Sequence, residues 1–253
     1  MLAQPSPVHQ NALVSSIAND RLKRFRAVFG GDTKRAVLLY HADLRLAAEL
    51  HSLLAVTEVC LREALHRQLS QFLGPAWFTN THGLFDSRTE ATLQKAQKEA
   101  GFRAPPGKVV AEVPFGGWTG LLGPGGWSDA GARRRRMNYE TSLWQPALAA
   151  AFPNSSSSRA AVADLATRVR YARNRVAHHE PVVFGVPLPG QAAKGQQARR
   201  APGDVLEDIR SLCEAVDKDV GDWLRCSPEA DAVVADPLVV SAVGYMSSRV
   251  LYR

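Results

Sequence analysis

One stretch of this chain gathers residue types that could do chemistry. Arg170, Arg173, Asn174, His178 and His179 stand within ten positions, followed by Glu180 and Pro181. A guanidinium holds phosphate through paired hydrogen bonds. An imidazole moves protons near neutral pH. Together they suit phosphodiester chemistry on RNA, whose ribose 2′-OH is its own nucleophile. The imidazole would take the proton from that hydroxyl or give one to the leaving oxygen. The arginine would neutralise the phosphate in the transition state. The products would be a 2′,3′-cyclic phosphate and a 5′-OH end. Such chemistry requires no cofactor and no metal. Adjacent histidines on a helix point about 100° apart, which weighs against His178 and His179 as metal ligands. The plainer reading of the same residues is a helix cap, because cations and imidazoles favour a last turn.

The geometry of a straight helix sets a condition. Arg173 and His178, five residues apart, point about 140° from each other. Arg170, Asn174 and His178 share one stripe at steps of four. Pro181 biases Glu180 out of the helical region, so the helix is expected to end near His178 or His179. At that last turn an imidazole could swing toward the Arg173 side.

The surrounding elements read as mainly helical. Residues 1–13 read as a flexible arm and 14–253 as a single domain. Ser15 or Ser16 would cap a first helix running to Phe29, with Leu22, Phe25 and Val28 on its apolar stripe. From Thr33 to Leu73 leucines recur at three- and four-residue steps, with a break expected near His41 to Asp43 because 40 residues is long for one helix. Glu58 and Arg62 share a face there. Ser87 to Ala100 reads as an amphipathic helix. Lys108 to Leu122 is ambiguous between helix and strand and is taken as a helix kinked by Pro114. A glycine-rich loop carries Arg133, Arg134, Arg135 and Arg136, either a solvated turn or a grip on a phosphate backbone. Tyr139 to Ala151 returns to helix. The apolar positions from Ala161 to Val176 carry the candidate site to its end. Residues 182–200 read as a long loop closing on Arg199 and Arg200, a second candidate RNA contact. Gly203-Asp204 starts the last clear helix, whose apolar positions run from Val205 to Leu224.

Composition narrows the classes. Hydrophobic residues make up 45% and charged residues 22%, which supports a real core and weighs against global disorder. A net charge of +7 suits a phosphate-rich partner such as RNA without requiring one. Three cysteines are an odd and sparse set, without zinc spacing. No apolar run reaches the ~18 residues of a membrane span. The expectation is a cytoplasmic protein with no membrane partner.

The motif also carries a family likeness. Arg173 to His178 resembles the RxxxxH motif of the HEPN superfamily, and His179-Glu180-Pro181 resembles its Abi-like (abortive-infection) branch. Further stretches agree in order: Arg21-Leu22 with Ala36 to Tyr40; Glu58 to Ala64 with Gly74 to Trp77; and Gly107 to Glu112 with Phe115 to Trp118. Leu143-Trp144 and Phe152-Pro153 follow. The likeness spans about residues 20 to 180. It implies an all-α HEPN-like helical bundle with long irregular loops and a metal-independent endoribonuclease. It also implies a homodimer, in which motif helices from two copies form one cleft. Arg173 would stabilise the phosphate, His178 would act as general acid or base, and Asn174 would orient the site. Glu58 and Arg62 would face the motif, with Arg170 and His179 in support. The chain departs from the branch at Glu63, where an asparagine commonly follows the arginine. The role implied is a toxin-like defence effector; an antitoxin protein is a candidate partner that the sequence neither requires nor excludes. A HEPN dimer that binds RNA or protein without cutting, and a purely structural helical scaffold, stay open on the same residues.

Overall fold

Most of the apolar periodicities are realised as helices. The structure is a computed structural model describing residues 3–17, 19–79, 83–101, 103–129, 134–193 and 196–252. The first elements are α1 (Pro7–Ser16), α2 (Asn19–Val28) and α3 (Thr33–Leu73). Residues 7–13, read above as an arm, are therefore helical. Ser6 caps α1 by accepting from the His9 amide at 3.5 Å, and Pro7 sits where a missing N–H costs nothing. Helix α3 runs unbroken through His41 to Asp43, where a break was expected. Asp43 does not compete for its own backbone. Its carboxylate is buried and accepts from the amides of Val182 and Val183, both at 2.8 Å.

Helix α4 (Ser87–Ala100) is capped by Asp86, whose Oδ1 accepts from the Thr89 amide at 2.8 Å. Pro114 separates α5 (Pro106–Glu112) from α6 (Phe115–Leu121), so one expected helix is two. Two short strands, β1 (Trp127–Ser128) and β2 (Arg135–Arg136), pair antiparallel inside the glycine-rich segment. The helix expected over 139–151 is a π-helical turn at Glu140–Trp144 and a 3-10 turn at Leu148–Ala151, on either side of Pro146. Helix α7 (Arg159–Ala177) follows.

Two strands occupy much of the stretch 182–200, where a loop is expected from the sequence. Strands β3 (Val186–Ala193) and β4 (Gln196–Arg200) pair antiparallel, and β4 pairs parallel with β5 (Leu251–Tyr252). The prolines that suggested a loop coincide with a register irregularity between Pro187 and Ala192. Helices α8 (Pro202–Val216), α9 (Lys218–Arg225), α10 (Pro228–Val234) and α11 (Pro237–Ser247) complete the chain. Among the described residues no single helix is long and apolar enough to cross a membrane.

Backbone contacts divide the chain into two compact units. The first comprises Met1–Leu54, Tyr171–Ile209 and Leu224–Arg253. Its core includes Leu22, Phe25, Leu39, Leu46, Phe184 and Ile209, with the Phe25 ring edge-on to Tyr40 and Phe184. The second comprises Ala55–Arg170 and Arg210–Trp223. Trp77 centres its core, edge-on to Phe78, Phe85 and Trp118.

Arg199 and Arg200, paired in the sequence as a candidate RNA contact, have separate structural tasks. Arg199 is 4% exposed and donates to the carbonyls of Phe184 (2.9 Å) and Gly185 (2.6 Å). Burial, and then Arg24 and Arg175, push its pKa down to about 10. It clamps the turn that leads into β3. Arg200 forms a two-pronged pair with buried Asp208 at 2.7 and 2.9 Å. Arg199→Ala is expected to cost about 2–4 kcal/mol of stability by stranding two carbonyls. Urea denaturation measures this, and an unchanged midpoint would refute the clamp.

Candidate active site

Helix α7 ends in a defined corner. The Glu180 amide bonds to the Arg175 carbonyl at 3.0 Å, and the His179 amide to that of Val176 at 3.1 Å. This is the double bond pattern of a Schellman cap, with His179 at the left-handed position, φ 54°. Glycine usually fills that place, because a side chain there costs about 1 kcal/mol or more. His178, the residue before it, is exposed. The helix thus stops one turn after Arg173 and Asn174 by its own capping bonds, immediately before Pro181. Replacing His179 by glycine is expected to stabilise the fold by about 1 kcal/mol. A urea midpoint that falls would show instead that the imidazole makes a contact worth more than the strain.

Neighbouring groups brace this corner. Arg175 donates to the Pro181 carbonyl at 2.7 Å and pairs with Glu180 at 2.9 Å. Arg21 of α2 donates to the His179 carbonyl and lies over the Tyr40 ring. One turn further along α2, Arg24 covers the Phe184 ring at 4.3 Å and points to the Met246 sulfur at 3.4 Å. Asp43 holds the first residues beyond the corner. None of these four is among the site residues expected from the sequence. Asp43 left one signal, a carboxylate in the Leu39, Leu46 and Leu50 stripe of α3.

The corner lies in a cationic field. Burial first, and Arg175 second, lower the Arg24 pKa. Burial likewise lowers that of Arg175, against Glu180 and Asp43. The Asp43 carboxyl rises to about 6, because burial outweighs the Val183 and Val182 amides and the nearby Arg175 and Arg21. Guanidinium groups therefore outnumber the carboxylates around the end of α7, which favours an approaching phosphate.

The other expected site residues are distributed as follows. Arg173 is half-buried, and Asn174 is exposed on α7 in the first unit, as are His178 and His179 beyond it. Arg170, Glu58 and Arg62 belong to the second unit. There Arg62 bonds Glu63 at 3.1 Å, so the residue that departs from the Abi-like pattern occupies its arginine neighbour. Arg133 lies outside the described residues. Arg134, Arg135 and Arg136 are exposed, in and beside β2. Arg134 pairs with Asp129 at 3.2 Å and covers the Trp127 ring at 4.8 Å, while Arg135 donates to the Gly83 carbonyl. Among the described residues no group of three His, Cys, Asp or Glu side chains is placed to hold a metal ion.

No protein-family model matches the chain, and neither a curated protein nor a solved structure does.

Proposed function

We propose that the chain is a metal-independent endoribonuclease of the HEPN type, working at the end of α7. One observation carries this reading. A strained, braced corner presents exposed His178 one turn beyond Arg173, in a field of guanidinium groups. A cap alone does not need a histidine in the left-handed position, and strain of that kind gathers at working sites. His178 takes the proton of the 2′-OH, whose oxygen attacks the adjacent phosphorus. The bond to the 5′-oxygen breaks, and that oxygen leaves with a proton. Arg173 neutralises the phosphate between the two events, and Asn174 orients it. In a homodimer, two copies of His178 would divide the tasks of base and acid. The wider reading is a cytoplasmic defence effector, silenced by an antitoxin until it cuts RNA.

Purified protein incubated with RNA in EDTA tests the proposal. Cleavage is expected, with 2′,3′-cyclic phosphate at one new end and 5′-OH at the other. Cleavage that stops in EDTA, or that leaves 3′-OH ends, would show another chemistry.

A further inference from the structure

The second unit contains a cavity of about 330 Å³, within the size range of small-molecule sites. We propose that it binds a nucleotide, with the base against Trp127 and the phosphate on Arg88 and Arg170. It uses neither Arg173 nor His178 and goes beyond the cleavage reading.

Glycines define one wall, and they are of two kinds. A Cβ on Gly117 would lie 2.8 Å from Val113, and one on Gly125 2.6 Å from the Met137 carbonyl. Those positions exclude a side chain because packing is tight. Gly120 is different. It lies inside α6, and a Cβ there would meet nothing within 4 Å. Alanine would fit and would favour the helix. Helix α6 therefore leaves bare backbone facing open space in the cavity wall. At Gly116 the added Cβ would be 3.7 Å from Arg170 Nη1, so that guanidinium lies against bare backbone too.

The remaining walls indicate the ligand. Arg88 and Arg170 line the cavity with a single carboxylate, Asp86, whose Oδ1 already accepts the Thr89 amide. The charge balance favours an anion. Thr92, whose hydroxyl already donates to the Arg88 carbonyl at 3.0 Å, can accept at the edge of a heteroaromatic ring, and Thr167 adds a second hydroxyl. Trp127 is 47% exposed and offers an aromatic face, and Arg134 lies over its ring. An aromatic platform, hydroxyls and guanidinium groups together suit a base carrying a phosphate. The wall is already built. The buried Tyr139 hydroxyl accepts from the Asp86 amide at 3.0 Å and donates to Thr89 Oγ1 at 2.9 Å.

The nucleotide could be free or a residue of an RNA strand, and calorimetric titration separates the two. The probes are the four nucleoside 5′-monophosphates, inorganic phosphate and an uncleavable 2′-O-methylated oligonucleotide. A monophosphate binding at or below about 1 mM, at least tenfold tighter than inorganic phosphate, identifies a free nucleotide. Binding of the oligonucleotide alone identifies a strand residue. In either case Trp127→Ala is expected to weaken binding about tenfold or more. Gly120→Leu should abolish it while leaving the thermal midpoint intact, and Gly120→Ala should bind normally. Should Gly120→Leu fail to fold, Trp127→Ala on the rim decides. The proposal is overturned if no probe binds, or if folded Gly120→Leu or Trp127→Ala binds as the wild type does. Loss of RNA cleavage in His178→Ala with nucleotide binding intact would show the two sites to be separate.

Discussion

His178→Ala lowers EDTA-resistant RNA cleavage by about 10²- to 10⁴-fold, the range for loss of a general acid or base. The exposed position of His178 makes this a clean test, since truncating it opens no cavity. Thermal melting should be unchanged, so lost activity is not lost fold. Arg173→Ala is expected to lower kcat by about 10²- to 10³-fold with a smaller change in KM, because its charge matters most in the transition state. The double variant should be little worse than His178→Ala alone, as for residues that act as a unit. An all-deoxy strand of the same sequence should resist cleavage, lacking the internal nucleophile. If His178→Ala and Arg173→Ala both cut RNA at the wild-type rate, the end of α7 is only a cap.

Asp43→Ala should be among the most destabilising single changes in the first unit, at about 2–5 kcal/mol. It strands the buried amides of Val182 and Val183 in one step. Asp43 also links stability to pH. Its carboxyl rises from 3.8 to about 6 on folding. The native chain therefore holds this proton more tightly than the unfolded chain. Stability from this group is fully present below about pH 4 and falls as pH rises through 6, by up to about 3 kcal/mol. Asp43→Asn keeps an acceptor for the two amides and cannot ionise. Its stability relative to wild type should climb between pH 4 and pH 7, as read from urea midpoints across that range. A flat difference would mean that Asp43 ionises in the fold as freely as in water.

The legible parts of the chain were those governed by near neighbours. The leucine spacing of α3, the span of α4 from Ser87 to Ala100 and the Pro114 interruption all follow from residues within a few positions. So did the end of α7, although the expected agent was Pro181 and the observed one is the left-handed His179. The illegible parts depend on partners far away in sequence. The task of Asp43 is hidden in the sequence because its donors lie about 140 residues on. Arg21 was one basic residue among several on α2 until the His179 carbonyl gave it a task. Arg199 and Arg200 looked alike, yet one clamps backbone and the other pairs with Asp208. The prolines of β3 masked a strand because only β4 shows which amides it needs. The spacing of Arg173 and His178 could be read directly, but the bracing by Arg175 could not.

The left-handed backbone at His179 is also a matter of chirality. At φ 54° an L-residue is uncomfortable, whereas its mirror image would be at ease. Handedness and side-chain chemistry can therefore be separated at this one position by chemical ligation. A chain carrying D-histidine there would keep the imidazole and shed the strain, whereas glycine sheds both. The difference between those two proteins would isolate what the ring contributes from what the bend contributes.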